Sequence, residues 1–517
     1  MTAPMSSSPS PMTEQLRGTV FPWVLALITG LDYFDNVSFS FFTRYIAGGI
    51  NASPDELVWS SSIYAVAALF GILQQQWWVN RFDYRRYIAG GLLLYAAGAL
   101  LASFCNTPLQ LMWARGLQGY AIGPMQSACR IMIEFNAKPP QRISAIRAFV
   151  VGLVGGSALA PLCGGMLVAH FDWRMLFACT APIGVALAGL AWLRLPGSPP
   201  AQAEEPGHSH LWPYLLFAFA QGALQIATQQ LRYGLFTASP LLMMLTLSGV
   251  GALLWFVHHQ WHHPAPLIHL HALRQRPFQV IALFIFYYAV ATGFSYLISL
   301  FLEQGLNYPV ENAGRLVGVA SLISGSALFL YFRSVTLQYH RKWLMASGFA
   351  IAAWVAWRMT QMPPDIDMNN LILPMLCSGL LLACIALPVS TLAFSEFAIG
   401  TFAHSYRLQN IVRQLTISFA TASIIMIEQH RQATHQLRLA EWVNLYNPEY
   451  QHAMHRLLDV FTAAGYTATD AQALAMASLG RTVAQQAVFL ASLDGFYVLM
   501  YVALCGVAFA LWQKPIE

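Results

Sequence analysis

Charge is what this sequence is short of. Asp, Glu, Lys and Arg make up 9% of its 517 residues, against 57% hydrophobic ones, and a mean hydropathy of +0.52 lies outside the range of soluble globular domains. The chain is therefore expected to live in a lipid bilayer. There is no dense basic run interleaved with aromatics and the net charge is only +5, so the surface that neutralises nucleic-acid phosphates is missing and nucleic acid is not an expected partner. The seven cysteines form no CxxC pair: Cys105, Cys129, Cys163, Cys179, Cys377, Cys384 and Cys505 all fall in apolar segments. Neither a disulfide framework nor a zinc site is expected. The start, "MTAPMSSSPSPMTEQLRG", has no basic stretch leading into a short apolar core with a cleavage site, which predicts that the first helix is retained.

What is present in abundance is apolar length. A bilayer core needs roughly 20 apolar residues per helix, and about fourteen such windows can be laid down by that rule. They start near Phe21, Leu57, Tyr87, Leu109, Ile143, Trp173, Leu211, Leu241, Phe278, Ala313, Trp343, Leu371, Ala403 and Leu493. The expected fold is an all-α membrane protein with both termini on one side. Placing them in the cytoplasm sends Arg81, Arg85, Arg86, Lys138, Arg142, Arg274, Arg276, Arg333, Arg341, Lys342 and Lys514 inward, as the positive-inside rule requires. The outward loops "NASPDE", "NTP" and "MPPDIDMNN" carry no Lys or Arg.

Composition divides the chain into a cytoplasmic tail (1–18), a first membrane half (19–194), a Pro-, Gly- and Ser-rich linker (195–210), two further helices (211–258), a cytoplasmic connection (259–276) and a second half (277–517). The stretch 429–488 faces outward. Its 3.6-residue periodicity predicts one or two amphipathic helices outside the bilayer, a surface for a partner.

Two acids interrupt the first apolar window, Asp32 and Asp35 in "LITGLDYFDNVSFSFF". A carboxylate at membrane depth costs a few kcal/mol unless it faces protein or water. At 1.5 Å per residue, Asp35 is about 21 Å into its helix, while Arg115 in "LMWARGLQGY" is about 9 Å below the outer face. The depths match, so an ion pair that alternates with a protonated, unpaired state is expected, Asp35 being the main proton carrier and Asp32 its neighbour. A static pair that only fixes packing is the structural alternative. The fifth window, "GGSALAPLCGGMLVAHFDWRMLF", repeats small residues at Gly156, Ala160, Gly164 and Gly165, with Pro161 among them. Such a stripe lets a neighbouring backbone approach closely, and the proline is expected to kink the helix.

Polar groups at depth need partners or water. Gln118, Gln126, Gln225, Asn410 and Arg413 are therefore expected in a substrate cavity, with Tyr288 and Phe294 among the aromatics that line it. Arg130 and Arg147 are expected to snorkel towards the cytoplasm. "HHQWHHP" sets His259, His262 and His263 in an HxxHH spacing used by membrane di-iron enzymes. The other histidines are scattered, so a polar helix end is the better reading and no metal site is expected.

Several of these stretches together resemble one family. "GSALAPLCGG" is similar to the antiporter motif GxxxGPxxGG of major facilitator superfamily exporters, with Ala160 where the motif has glycine. "RGLQG" resembles the Arg-bearing fourth-helix motif, "PLIHLHALRQRPF" the entry to the ninth helix, "YRLQNIVRQLTIS" the thirteenth-helix motif, and "YNPEYQHAM" an outer loop of the EmrB-like branch. The resemblance, to the EmrB/QacA-type drug/proton antiporters, spans nearly the whole chain. It implies a major facilitator fold with 14 transmembrane helices: two six-helix bundles with two extra helices between them.

It also implies a non-enzymatic, cofactor-free, proton-driven exporter of amphipathic molecules in a bacterial inner membrane. A membrane-fusion adaptor, and through it an outer-membrane channel, are the implied partners. Three departures stand out. Ser40 replaces the Asn that usually follows the first-helix acid. The gating motif survives as "QWWVNRFDYRR", keeping Arg81, Arg85 and Arg86 but with Asn80 at the acid position. "LQIATQQLRYG" keeps Gln225 but puts Gln229 near the usual acid of the seventh helix. A specific metabolite exporter or importer on the same fold is the alternative function.

Overall fold

The computed structural model describes residues 11–137, 139–197, 212–230, 240–263, 276–334, 340–389 and 402–512. Most of the expected linker 195–210 and of the connection 259–276 lies outside the described residues, as does the start of the tail 1–18. Among the described residues the secondary structure is helical, with no strand.

Helix α1 (Pro11–Gly49) is followed by α2 (Pro54–Ser103), which opens on a capping box. The Glu56 amide donates to Ser53 Oγ at 3.3 Å and the Ser53 amide to Glu56 Oε2 at 2.8 Å, satisfying two orphan donors of the first turn. At 50 residues, α2 holds two of the expected windows, divided at Asp83, whose φ of 66° and ψ of 164° lie outside helical space. A side chain at positive φ is strained. Asp83 Oδ1 offsets this by accepting the Arg86 amide at 2.9 Å, which makes Asp83 the N-cap of the second crossing.

The fourth window becomes α3 (Pro108–Ile122) and α4 (Met125–Asn136), and α5 (Pro139–His170) and α6 (Arg174–Arg194) complete the first half. The two extra helices are α7 (Trp212–Gln230) and α8 (Pro240–His262). In the second half α9 (Arg276–Leu300) runs into a π-helical turn at Phe301–Gly305. Helices α10 (Val310–Arg333) and α11 (Arg341–Thr360) follow, then α12 (Met368–Gly379), which ends in a second π turn at Leu382–Ala386. The last three are α13 (Phe402–Ala440), α14 (Pro448–Ala463) and α15 (Ala468–Trp512). Among the described residues nine helical stretches are long and apolar enough to cross a membrane.

Alternate ends of the helices share a side of the molecule: the α2 bend with Arg81, Arg85 and Arg86, the first turns of α5 and the C-terminal end of α10 make the basic end, and the opposite loops make the far end. In the first half α1 packs on α5 and α2 on α3 and α6. In the second, α11 packs on α15, α10 on α12, and α13 on α9 and α15. The halves meet along α5 and α10 and where α13 crosses α2 and α4. Helix α7 touches α2 and α13, hence both halves, and α8 lies outside it. Leu241, Met244, Leu254 and Trp255 of α8 are exposed, which suits lipid contact and not water.

Pro161 lies within α5 and the helix continues through it to His170. The stretch 429–488 also differs from expectation. It does hold one separate amphipathic helix, α14, but the rest is formed by α13 and α15 running on into it from either side. At 1.5 Å per residue they are about 58 and 68 Å long, roughly twice a bilayer core. The cause is local: no proline lies between 402 and 440 or between 468 and 512, so nothing breaks the hydrogen-bond ladder at the membrane surface. Asp494 of α15 then pins the two rods, accepting from Arg431 Nε at 2.6 Å and lying 2.7 Å from His435 Nε2 on α13.

Candidate functional site

Asp35 and Arg115 meet inside the first bundle. Arg115 Nη1 donates to Asp35 Oδ2 at 2.7 Å, and both side chains are 2% exposed. The Tyr95 hydroxyl donates to Asp35 Oδ1 at 3.0 Å, and Arg115 Nη1 also reaches Gln118 Oε1 at 2.9 Å. The guanidinium lies between two rings, 4.3 Å from the Phe39 centroid and 4.2 Å from that of Tyr64. Each desolvated cation–π contact contributes about 2 kcal/mol. Three elements, α1, α2 and α3, thus fix one charge pair away from lipid. Phe34, Ser38, Leu176, Phe177 and Thr180 line a small cleft beside Asp35 between α1 and α6.

Asp32, one turn earlier, is fully buried and differently served. Its Oδ1 accepts from Asn36 Nδ2 at 3.0 Å, and that same amide lies 2.9 Å from the Tyr64 hydroxyl. Asp32 Oδ2 is buried with no hydrogen-bond partner among the described residues. Ser40, at the family's Asn position, is exposed; Asn36 is the amide that stands by an acid here.

A second polar group lies where the halves meet. Arg413 of α13 donates from Nε to Asn410 Oδ1 at 2.9 Å and from Nη1 to the Tyr33 hydroxyl of α1 at 3.2 Å. Gln126 of α4 donates to the same hydroxyl at 3.2 Å, and Asn410 Nδ2 reaches the Gly123 carbonyl at 3.4 Å. Tyr288 is within electrostatic range of Tyr33 and Arg413. Gln126, Asn410, Arg413 and Tyr288, all expected in the cavity, therefore stand together around Tyr33, which the sequence reading did not single out. Its one signal was position: a tyrosine beside Asp32 on the bilayer-depth stretch of α1.

The other expected cavity residues are elsewhere. Gln118 is a ligand of Arg115. Gln225 of α7 accepts a short hydrogen bond from Ser418 of α13 and so ties an extra helix to the second bundle; the side chain of Gln229 is not described. Phe294 is buried in the core of the second bundle, its ring 6.2 Å from that of Phe496, and does not join the Tyr33 group. An aromatic in an apolar helix carries no mark of which side it faces.

The fifth-helix stripe lies in two seams. A side chain on Gly156 would run into the Gly30 carbonyl of α1, and one on Gly164 into the Phe42 ring. On the other face Pro161 and Gly165 meet Gly314 of α10, so α5 is held backbone-close to both halves. Ala160 is fully buried. At the basic end Arg81 and Arg86 are exposed, Arg86 Nε is 3.9 Å from Asp83 Oδ2, and Arg85 lies over the Trp192 ring at 5.3 Å. Asn80 is engaged by Gln76 at 2.9 Å.

Arg130 is buried and finds a protein acceptor instead of snorkelling, whereas Arg147 is exposed and also reaches one. Arg130 pairs with Glu134 at 3.1 Å, and Arg147 donates to the Phe332 carbonyl of α10 at 3.3 Å, across the two halves. His258 and His259 lie with tilted rings against His262 and His263 at the end of α8, and no group of three metal-ligating side chains forms among the described residues.

The family model of the Major Facilitator Superfamily matches residues 25–421. The chain is 23% identical over 454 residues to the probable multidrug resistance protein EmrY of Escherichia coli K12, covering 86% of both chains. To the multidrug export protein EmrB of the same strain it is 22% identical over 480 residues, covering 92% of this chain and 93% of EmrB. Among solved structures, a bacterial homologue of the human lysosomal transporter Spinster, inward-facing and occupied, superposes with a TM-score of 0.60 at 14% identity, covering 98% and 97% of the two chains. Since the family model spans most of the sequence and the solved neighbours have the same fold, the chain is a multi-pass membrane transporter of the Major Facilitator Superfamily, similar over most of its length to EmrB and EmrY, and not an enzyme.

Proposed function

We propose that this protein exports amphipathic small molecules from the cytoplasm in exchange for protons, by alternating access between its two bundles in a bacterial inner membrane with both termini inside. The observation that carries the reading is the buried pair of Asp35 and Arg115. Paired, the two charges cancel in a place shielded from bulk solvent. A proton on Asp35 removes one of them and leaves a lone guanidinium in a low dielectric, an arrangement several kcal/mol less favourable. Gln118 and the rings of Phe39 and Tyr64 hold Arg115 in place meanwhile, so the imbalance is relieved by rearranging helices and not by losing the side chain. One charge crossing about 100 mV supplies roughly 2.3 kcal/mol, enough for about a fortyfold gradient.

The substrate would bind at Tyr33, Gln126, Tyr288, Asn410 and Arg413, because these come from both halves and present aromatic surface with a few hydrogen-bonding groups. The stripe Gly156, Ala160, Pro161, Gly164 and Gly165 would seal α5 against leakage, and Arg81, Arg85 and Arg86 would serve the cytoplasmic gate. The names of the similar EmrY and EmrB proteins support drug efflux. The far-end rods and α14, with Trp442, Leu445, Tyr446 and Val460 exposed, would seat a membrane-fusion adaptor leading to an outer-membrane channel.

The test uses everted vesicles with an acid interior. Added substrate should collapse the pH gradient with the wild type and leave it intact with Asp35→Asn. A variant that still concentrates substrate against a gradient removes Asp35 from the mechanism, and absence of any proton movement in the wild type favours a uniporter of a specific metabolite.

A further inference from the structure

One group of charges lies outside the site above. Arg44, near the far end of α1, has a buried Nη1 with no hydrogen-bond acceptor among the described residues. Its guanidinium is hydrogen-bonded to the Tyr296 hydroxyl of α9, across the seam, and is within electrostatic range of Glu303, in the π turn that ends α9, and of Glu428 on α13. Glu428 is 2% exposed and takes a long hydrogen bond, 3.4 Å, from Tyr296; Glu303 takes one of 3.1 Å from Ser299. Tyr45 of α1 also faces Glu303. Farther out on α13, Arg431 and His435 are already paired with Asp494. Two carboxylates of the second bundle thus face one guanidinium of the first, across the seam that must part for the far end to open. None of the family motifs quoted above includes these three residues.

We propose that Arg44, Glu303 and Glu428 form a charge latch that holds the far end shut, and that protons entering from that end release it by neutralising the two carboxylates. The balance is simple. With both carboxylates ionised, the group carries two negative charges against one positive. One proton makes it neutral. A second leaves a part-buried guanidinium with no counter-charge and only the Tyr296 hydroxyl beside it, a state relieved when the bundles part and water reaches Arg44. Closure therefore survives one proton and fails at two. The proposal rests on the alternating-access reading and not on the role of Asp35.

The test measures the distance across the far end of the full-length protein in nanodiscs. Spin labels go on Phe104→Cys and Gln361→Cys, which are exposed and belong to different halves, in a background with the native cysteines replaced by serine. The wild type should show the short distance at pH 8 and shift to the long one on acidification. Glu428→Gln, an isosteric change that spares the fold, should need only one proton and so open at higher pH. Glu303→Gln with Glu428→Gln should be open at every pH, with an open-to-closed ratio about tenfold or more above wild type at pH 8.

Arg44→Glu should open the end, and adding Glu428→Arg should close it again. A double carboxamide that stays closed, or a Glu428→Gln titration identical to wild type, overturns the latch. Asp35→Asn keeps the two readings separate: it should abolish proton-coupled transport yet leave the pH response of this distance in place. Loss of the latch response with coupling intact sinks only the latch.

Discussion

Arg115 is held by contacts of three kinds: a carboxylate at 2.7 Å, an amide oxygen at 2.9 Å and two aromatic faces. Removing one partner of a buried ion pair typically costs 3–5 kcal/mol, because the other charge is left uncompensated. Arg115→Ala is therefore expected to lower stability by about that much, measured as thermal unfolding in detergent, and Arg115→Lys should fail to rescue transport because an ammonium cannot lie flat between Phe39 and Tyr64. Tyr33 makes the opposite kind of case. Its hydroxyl accepts from Gln126 and Arg413, each hydrogen bond being worth about 1 kcal/mol net. Tyr33→Phe should weaken substrate binding about tenfold, by tryptophan fluorescence titration, while proton movement per substrate stays unchanged. Unaltered affinity would remove Tyr33 from the binding site.

Among the helices, α5 gives the sharpest contrast. Gly155 and Gly156 are adjacent in sequence and alike in chemistry. A side chain at 156 meets the Gly30 backbone of α1, whereas one at 155 meets nothing within 4 Å. Gly156→Ala must push two backbones apart and should cost about 1–3 kcal/mol. Gly155→Ala replaces a poor helix former at a free position and should stabilise by about 0.5–1 kcal/mol. Opposite signs in the two melting shifts are the expected result, and equal shifts would mean that α1 and α5 are not in close contact. The motif "GSALAPLCGG" showed that some seam existed. Which helix fills each face, α1 or α10, was not legible, because a stripe of small residues specifies close approach without naming the partner.

At the scale of the molecule, the far-end extension stands apart from the transport machinery. Helix α14 buries no residue, and its removal takes little from either core. Replacing Pro448–Ala463 by a Gly-Ser linker should leave a monodisperse protein with a melting temperature within about 2 °C of wild type. It should also abolish capture of a membrane-fusion adaptor and, with it, drug resistance in cells with an intact outer membrane. Retained capture would move the docking surface to the α13 and α15 rods.

Length and hydropathy alone were enough for an all-helical membrane protein and for the acids that needed partners, because those properties follow from each segment's own composition and from the thickness of the medium it crosses. The pairing of Asp35 with Arg115 was legible for the same reason: a charge stranded in an apolar window announces its need, and depth along a helix can be counted. Rotation about the helix axis is a different matter, since it is settled by which neighbour a face meets. Only the tertiary structure placed Tyr33 with Arg413, sent Gln225 to Ser418 and Phe294 into a core, carried Arg147 to the Phe332 carbonyl of α10, and brought Arg44 opposite Glu303 and Glu428. Each of those contacts joins residues of separate helices through packing, which no periodicity within one segment encodes.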